Sequence, residues 1–313
     1  MRPVPAALPS LIVICGATAT GKTRLSLALA QALGACEVVG ADSRQVYRGM
    51  DIGTAKVLPR ERALVPHHGL DLVDPDEPFS VSAYQRHALT ALAGIAARRR
   101  RALLVGGTGL YLRAVARGLD LDDASHDPAL RARLEEDYGR HGLGWAVERL
   151  RELAPTASAQ VDLANPRRVV RALERAELLG DRPPSPALGY PAPVLWIGLR
   201  VEHALHRDWI ARRAAGQFAG GLLDEAAHLR ARYDTSLPAL SAIGYREAIA
   251  VLEGRATVES ALAETIVRTR EYARRQRTWF RAEPGVVWLD AERDPLPAAL
   301  GLVHGFLESA APV

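Results

Sequence analysis

Residues 16–23 read GATATGKT and match the pattern G-x-x-x-x-G-K-[ST], which is typical of loops that bind phosphate groups. The loop follows an apolar run, LIVIC at 11–15, and precedes a segment with helical spacing. Its glycines let backbone N–H groups surround phosphate oxygens, and the N-terminus of the following helix adds partial positive charge. Lys22 supplies a compact cation, and the Thr23 hydroxyl can ligate Mg²⁺. The alternative is a glycine turn that binds nothing, and the flanking strand and helix argue against it.

An acid and a threonine follow two further apolar runs. Asp42 ends the strand-like run EVVGAD at 37–42, and Thr108 follows the run ALLVGG at 102–107. Ligands of a doubly wound sheet gather at the carboxyl ends of its strands, so we expect the phosphate loop, Asp42 and Thr108 to converge on one crevice. A kinase or NTPase usually has a metal-binding acid at the end of an apolar strand, whereas glycines and Thr108 stand there in this chain. As alternatives, Asp42 caps the turn after its strand and Thr108 serves turn chemistry only.

The segment 42–56, DSRQVYRGMDIGTAK, departs from the composition of the rest of the chain. The 40 basic residues are arginines except for Lys22 and Lys56, and Met50 is the only methionine after the first residue. Lys22 is explained by the phosphate loop. We expect Lys56 either to lie near a substrate or to solvate a loop.

Bulk composition narrows the class of protein. At 313 residues, with 48% hydrophobic and 24% charged residues, the chain is typical of a soluble globular protein of two domains or of one domain with an insertion. A net charge of +4 is compatible with a polyanionic partner. Cys15 and Cys36 have neither metal-ligand nor disulfide spacing, which suits a reducing cytosol. No apolar run of membrane-spanning length occurs, and LIVIC fits a buried strand better than a signal peptide.

Strands alternate with helices in the first part of the chain. After LIVIC come a helix in TRLSLALAQALG, the strand at 37–42, a helix at 81–100 and the strand at 102–107. This alternation predicts a parallel sheet covered on both faces, that is, an α/β fold.

The pattern changes at about Leu119, and from there to Gly189 it indicates helices without a strand. Asp127 and Asn165 each precede a proline, which is typical of the first residues of a helix. A Pro-rich linker at 181–193 closes this insert. We therefore predict a core of residues 1–118 and 192–313 and a helical insertion domain of residues 119–191. Beyond the strand VLWIGLR at 194–200 we expect mainly helices, with 237–254 and 259–283 as the clearest.

The last of these helices is strongly basic. Between Arg268 and Arg281 there are six arginines and one acid, Glu271. Helical spacing places four of them on one side, with aromatic residues interleaved. The four arginines are Arg270, Arg274, Arg277 and Arg281, and the aromatics are Tyr272, Trp279 and Phe280. A basic stripe with aromatics suits phosphate backbones and unstacked bases, and a solvated helix face is the alternative.

Taken together, the motifs resemble those of the tRNA dimethylallyltransferase family, also called tRNA isopentenyltransferase. The matching segments follow one another along nearly the whole chain. They are GATATGKT at 16–23, DSRQVYRGMDIGTAKV at 42–57, PHHGLDL at 66–72, GGTGLY at 106–111, NPRRVVRALE at 165–174, IGYRE at 243–247 and VRTREYARRQRTWFR at 267–281. Small departures occur in loops, where Ala17 replaces a proline, Thr20 a serine and Val57 a proline.

The resemblance implies the transfer of a dimethylallyl group from dimethylallyl diphosphate to N6 of an adenosine beside the tRNA anticodon, position 37, with release of pyrophosphate. An adenine amino group is a weak nucleophile, and Asp42 matches the family's base, which takes its proton. Thr108 and Arg213 match residues that bind the diphosphate or orient the amine, although Arg212 stands next to Arg213 in a loosely matching segment. The phosphate loop and Mg²⁺ would stabilise the departing pyrophosphate.

The implied site residues fall into three groups. The catalytic residues are Asp42, Thr108 and Arg213. The diphosphate-binding residues are Gly16, Ala17, Thr18, Ala19, Thr20, Gly21, Lys22 and Thr23, with Thr23 as the metal ligand. The tRNA-binding residues are Asp42, Ser43, Arg44, Gln45, Thr108, Asn165, Arg167, Arg168, Arg270, Arg274 and Arg277.

The fold implied is a P-loop NTPase-like parallel sheet flanked by helices, with an all-helical insertion domain. We expect a cytoplasmic monomer that binds the anticodon stem-loop and dimethylallyl diphosphate and does not bind a membrane. Two other interpretations of the same motifs stay open: an adenylate isopentenyltransferase that acts on AMP, ADP or ATP, and a P-loop kinase or nucleotide-dependent RNA-binding module. The long insert and the basic helix favour tRNA as the acceptor.

Overall fold

The computed structural model describes residues 8–121, 127–182 and 186–310. The chain forms two compact units, one of Met1–Gly118 with Gly189–Val313 and one of Leu119–Leu188. The insert predicted from sequence was 119–191. Parts of the signal-peptide-like start and of the Pro-rich linker fall outside the described residues. Among the helices described, none is both long enough and apolar enough to cross a membrane.

One parallel sheet organises the described part of the larger unit, in the strand order β3-β2-β4-β1-β5-β6. Its strands are β1 (Leu11–Gly16), β2 (Cys36–Ala41), β3 (His67–His68), β4 (Arg101–Gly106), β5 (Val194–Arg200) and β6 (Val286–Asp290). All six residues of β1 and of β2 are buried, as expected for parallel strands that helices cover on both faces. The predicted α/β fold is confirmed.

Helices cover both faces of this sheet. In chain order the helices of the larger unit are α1 (Lys22–Leu33), α2 (Pro59–Leu64), α3 (Val81–Ala97), α4 (Gly109–Ala116), α8 (His203–Ala219), α9 (Leu222–Arg232), α10 (Tyr245–Leu252), α11 (Val258–Arg281) and α12 (Leu296–Ser309). Successive side chains of β1 enter different cores: Leu11 and Val13 pack in one apolar cluster, and Ile12 and Ile14 pack in another with α1 and α12.

The register of the sheet determines where the site forms. Gly106 at the end of β4 pairs with Ala41 of β2 on one side and with Cys15 of β1 on the other. The three strands therefore end at one level, and the loops that follow them meet there. The first residues of these loops belong to the phosphate loop, the segment from Asp42 and the segment from Gly107.

The smaller unit contains α5 (Pro128–Leu153), α6 (Pro155–Ser158) and α7 (Pro166–Leu179). The Asp127 carboxylate accepts hydrogen bonds from two N–H groups of the first turn of α5, and the Asn165 side chain caps α7. Helix α5 is interrupted at Gly142, whose φ of 78° is left-handed and is favourable for glycine. This break divides α5 into two helical stretches. Leu134, Leu150 and Leu173 are buried in the unit's own apolar core.

Two differences from the sequence-based expectations have local causes. Residues 237–254 were predicted to be helical, but residues 237–244 form turns that bury Ala239 and Leu240. The helix begins only at Tyr245, where the Glu247 carboxylate accepts a hydrogen bond from the Gly244 N–H at 2.7 Å. Strand β6 was not predicted, because its segment, VVWLD, lies at the sheet edge and is only partly buried.

The contact between β2 and β4 predicts that glycine is required at position 106. A Cβ added at Gly106 would lie 2.0 Å from the backbone oxygen of Ala41. Because Ala41 and Gly106 are paired in the sheet, this oxygen cannot move away without disturbing the strand pairing. We expect Gly106→Ala to lower the free energy of unfolding by about 3 kcal/mol, at the upper end of typical overpacking costs. Chemical denaturation measures this loss.

The control for this variant is Gly305→Ala on α12, where an added Cβ meets nothing within 4 Å. We expect this change to be neutral or to stabilise by about 0.5–1 kcal/mol, because alanine favours a helix. Equal stability of Gly106→Ala and Gly305→Ala would contradict the close approach of the two strands.

Candidate active site

A cavity of about 400 Å³ opens at the carboxyl ends of β1, β2 and β4. The phosphate loop, the segment after β2, the end of β4 and helices α8 and α11 contribute its walls. Its lining residues are Thr18, Ala19, Gly21, Lys22, Thr23, Asp42, Gln45, Ala55, Lys56, Val57, Glu61, Val105, Gly106, Gly107, Trp209, Arg213, Tyr272 and Gln276. The predicted convergence of loop 16–23 and Asp42 on one crevice is thus observed.

The phosphate loop leaves donors free for a ligand. Helix α1 begins at Lys22, and no side chain of the described residues caps its N-terminus at Gly21. The Thr20 hydroxyl and the Lys22 ammonium both donate to the Ala17 carbonyl, at 2.9 and 2.7 Å, which folds the loop back on itself. Burial, together with the nearby Arg213 guanidinium, lowers the pKa of Lys22 to about 8, although Asp42 opposes this shift. An anion in the cavity would relieve the repulsion between these two cations.

Asp42, the residue after β2, lines the same cavity. Its Oδ1 accepts a hydrogen bond of 2.8 Å from the Arg44 N–H, so the turn-capping role considered as an alternative is also present. Among the described residues, its Oδ2 accepts no hydrogen bond. One carboxylate oxygen thus orients the group, and the other is left to accept a proton.

Thr108 connects the end of β4 to the turn that carries Asp42. Its Oγ1 accepts a hydrogen bond of 3.0 Å from the Ser43 N–H, and its own N–H donates to the Ala41 carbonyl at 3.1 Å. Thr108 lies beside the cavity lining rather than within it. Tyr272 contacts its hydroxyl, and burial with the nearby Asp42 raises the pKa of Tyr272 to about 12.

Arg213 of α8 reaches the cavity, and its neighbour Arg212 is exposed outside it. Position on the helix therefore brings Arg213, and not Arg212, to the cavity. Arg213 Nη2 donates to the Thr54 carbonyl at 3.4 Å. Burial lowers the pKa of its guanidinium, and Asp42 partly offsets that effect.

Lys56 holds the wall made by residues 42–56. Its side chain is 1% exposed, and its ammonium donates to the Tyr47 carbonyl, Asp51 Oδ1 and Asp71 Oδ1 at 2.5, 2.8 and 2.5 Å. The expectation that it solvates a loop is wrong. Three acceptors around one point suit a compact ammonium better than a planar guanidinium, which accounts for the second lysine.

Two further contacts fix this wall. The backbone N–H groups of Asp51, Ile52 and Gly53 donate to the Glu225 carboxylate of α9. Met50 is fully buried in the apolar cluster beneath them. The unusual composition of 42–56 thus builds a rigid loop.

Two residues that sequence reasoning missed hold the phosphate loop from outside. Gln276 of α11 accepts a hydrogen bond from the Thr18 N–H at 2.7 Å and donates to the Gly107 carbonyl at 2.8 Å. His206 of α8 contacts the Thr18 carbonyl through Nε2 at 2.8 Å and Arg277 through Nδ1 at 3.0 Å. A guanidinium only donates, so Nδ1 accepts and Nε2–H is the donor to Thr18. The one signal available in the sequence was Gln276 itself, a polar residue on the apolar side of the helix predicted at 259–283.

The basic side of α11 differs in part from its prediction. Arg274, Arg275 and Arg281 are exposed, and Arg270 and Arg277 are half-buried. Phe280 is 1% exposed in the core, so it cannot stack on a base, and the interpretation of interleaved aromatics is wrong for this residue.

In the smaller unit, the predicted RNA contacts lie at the start of α7. Asn165 and Arg167 line a shallow hollow with Tyr138 and Asp162. Arg168 lies 3.6 Å from the Asp162 carboxylate. Asn165 thus caps α7 and also lines a surface hollow, where an additional contact can form.

The cavity at the carboxyl ends of β1, β2 and β4 offers only a limited set of ligands to a magnesium ion. In the described ranges, no group of three or more His, Cys, Asp or Glu side chains could hold a metal. Thr23 nevertheless lines the cavity. Mg²⁺ is commonly held by one or two protein oxygens together with substrate phosphates and water, so the Thr23 hydroxyl fits an ion that arrives with a diphosphate.

Several known proteins and two family models are similar to this chain. Residues 45–283 match the family model for IPP transferase, and residues 9–64 match that for isopentenyl transferase. A tRNA dimethylallyltransferase of Roseiflexus sp. (strain RS-1) is 45% identical over 91% of this chain and 94% of its own length. A tRNA dimethylallyltransferase of Anaeromyxobacter sp. (strain K) is 46% identical over 91% of this chain and 94% of its own length.

Solved structures give the same result. The tRNA isopentenylpyrophosphate transferase of Bacillus halodurans has a TM-score of 0.72 at 39% identity, covering 96% of this chain and 97% of that one. A eukaryotic dimethylallyltransferase acting on tRNA has a TM-score of 0.78 at 23% identity, covering 97% of this chain and 81% of that one, and this likeness shows the fold.

The lowered pKa of Lys22 predicts how pyrophosphate binding depends on pH. The protonated amine attracts the anion, and in the free protein it loses its proton as pH rises through about 8. Relative to the constant of Lys22→Arg, we expect the wild-type association constant to be level below that pH and to fall above it, measured by calorimetry from about pH 7 to about pH 10. Lys22→Arg is the control, because a guanidinium keeps its charge throughout and cancels the titration of the ligand. Parallel profiles for the two proteins would contradict the prediction.

Proposed function

The chain belongs to the tRNA dimethylallyltransferase family, and we propose that it transfers a dimethylallyl group from dimethylallyl diphosphate to N6 of adenosine 37, beside the anticodon of tRNA. The observation that carries this proposal is the placement of Asp42 and the phosphate loop on one cavity of about 400 Å³. A proton acceptor and a site for an anionic leaving group thus face a common space.

In the proposed reaction, N6 of the adenine attacks the first carbon of the dimethylallyl group. The N–C bond forms as the C–O bond to the diphosphate breaks, and pyrophosphate leaves with the electron pair. The proton of N6 passes to Asp42 Oδ2, while Oδ1 stays hydrogen-bonded to the Arg44 N–H. A positioned base of this kind typically contributes about 10²–10⁴-fold to the rate.

The departing pyrophosphate is stabilised by groups already in place before the reaction. Lys22, Arg213 and the free N–H groups at the start of α1 would bind its oxygens, and such preorganised donors act strongly where water is excluded. Thr23 would hold Mg²⁺, which neutralises charge on the diphosphate when bound. Gln276 and His206 keep the loop in shape through Thr18.

The acceptor adenosine must leave its stack to reach this cavity. We assign its recognition to the turn after β2 and the end of β4, namely to Asp42, Ser43, Arg44, Gln45 and Thr108. Gln45 lines the cavity, and its amide donates to the Thr54 carbonyl at 3.1 Å. Arg44 reaches the Pro238 carbonyl at 2.8 Å, so this turn has a defined geometry before RNA binds.

The RNA backbone would be bound by basic residues of both units. We assign this role to Asn165, Arg167 and Arg168 of the smaller unit and to Arg270, Arg274 and Arg277 of α11. The division proposed is a catalytic core that receives the base and a helical insertion domain that contacts the anticodon stem. We further propose that the protein acts as a monomer in the cytoplasm.

One assay tests the reaction directly. The purified protein is incubated with labelled dimethylallyl diphosphate and Mg²⁺, together with undermodified tRNA or with AMP. We expect label in tRNA at adenosine 37 and none in AMP. Label in AMP alone would indicate an adenylate isopentenyltransferase, and hydrolysis of ATP without label transfer would indicate a P-loop NTPase.

Replacing the proposed base separates chemistry from binding. Asp42→Asn keeps an oxygen for the Arg44 N–H but cannot accept the proton, so we expect kcat to fall by about 10²–10⁴-fold. Pyrophosphate affinity should change little. The matched control is Asp208→Asn, an exposed acid of α8 outside the cavity lining, which should leave kcat unchanged. A large loss of pyrophosphate affinity in Asp42→Asn would show that this carboxylate serves binding or folding instead.

A further inference from the structure

A second hollow, of about 190 Å³, lies between α8 and α11 outside the cavity just described. We call it the α8–α11 groove. Its walls are His203, His206, Arg207 and Ile210 of α8 and Arg270 and Arg277 of α11. On each helix these residues recur at helical spacing, so each helix presents one face to the groove.

The arginines of this groove have no counter-charge. Among the described residues, no carboxylate lies within 4 Å of Arg207, Arg270 or Arg277. The Nε of Arg270 is buried and has no hydrogen-bond partner. Other partly buried arginines of the core are paired, as Arg113 is with Glu283 at 2.5 Å. A buried donor without a partner is unfavourable, and an anion in the groove would satisfy it.

The groove continues into a larger hollow of about 310 Å³ that shares His206 and Arg277 with it. Arg200 and Arg281 line this extension and likewise have no carboxylate within 4 Å among the described residues. Guanidinium groups without a carboxylate partner therefore line two adjoining hollows. A row of cations matches a row of anions better than it matches a single phosphate ion.

We propose that the α8–α11 groove binds the phosphodiester backbone of the RNA substrate, with Arg207 and Arg270 as the residues that bind its phosphates. Arg207 and the α8 face thereby join the α11 arginines assigned above in one RNA-binding surface. The identification of the ligand as RNA rests on the proposed function. The charge and the shape of the groove are observed independently of that function. Planar guanidinium groups bind phosphate oxygens with two parallel hydrogen bonds, which suits this role.

The hydrogen bonds of Arg277 decide which residues can test the proposal. Arg277 donates to His206, and His206 in turn contacts the Thr18 carbonyl of the phosphate loop. Replacing Arg277 would therefore disturb the diphosphate site as well as the groove. Arg207 is exposed and Arg270 makes no hydrogen bond through its buried Nε, so their replacement leaves the phosphate loop intact.

The test is the double variant Arg207→Gln with Arg270→Gln. Its matched control is Arg212→Gln with Arg293→Gln, which removes the same charge from two exposed arginines outside the groove. Binding of tRNA is measured over a salt series. We expect the slope of log K against log salt to fall by about 0.7–0.9 for each phosphate that the variant no longer binds, and to change little in the control. Pyrophosphate binding without tRNA should match wild type, because neither arginine lines the cavity that contains the phosphate loop.

A salt slope equal to that of the control would overturn the proposal. Loss of inorganic pyrophosphate binding in the groove variant, with an unaltered tRNA slope, would instead assign the groove to a small phosphate and also overturn it. Failure of the proposed function is distinguishable, because wild-type protein would then transfer no label to tRNA. Single variants at Arg207 and at Arg270 keep the test decisive if the double variant folds poorly.

Discussion

The close approach of β2 and β4 at their carboxyl ends is the constraint on which the rest of the site depends. Gly106 pairs with Ala41 and with Cys15, and only a residue without a side chain fits there. This pairing brings the ends of three strands to one level. Thr108 then reaches Ser43, which fixes the turn that orients Asp42 towards the phosphate loop. A geometry defined by strand register is more rigid than one defined by loops alone, as proton transfer requires.

Electrostatics divides the cations of this protein into two kinds. Arg113 and Lys56 are matched by carboxylates and serve the fold. Lys22 and Arg213 face the cavity, and burial lowers the pKa of each. Cations held without full compensation favour a state in which an anion is present. The proposed stabilisation of a leaving diphosphate would therefore need no rearrangement during the reaction.

Local signals in the sequence predicted the parts of the site that local chemistry determines. The phosphate loop, Asp42 at a strand end and the strand 194–200 each depend on neighbours in the chain, and all are found where predicted. Residues whose role depends on distant partners could not be identified in this way. Gln276 and His206 reach Thr18 across most of the chain, and Phe280 is buried in a core whose other members are distant in the sequence. Lys56 was noticed for its rarity, but its buried acceptors are visible only in three dimensions.

The scarcity of lysine has a chemical consequence. The chain has two ε-amino groups, and that of Lys56 is enclosed by three acceptors with 1% of its side chain exposed. The amine of Lys22 stands on the cavity wall with a pKa of about 8, so near neutral pH a larger fraction is unprotonated than for an ordinary lysine. Acylating and carbonyl reagents attack free amines, and apart from the N-terminal amine we expect them to react at Lys22. Among the lysines, amine-directed electrophiles would thus select the loop at residues 16–23.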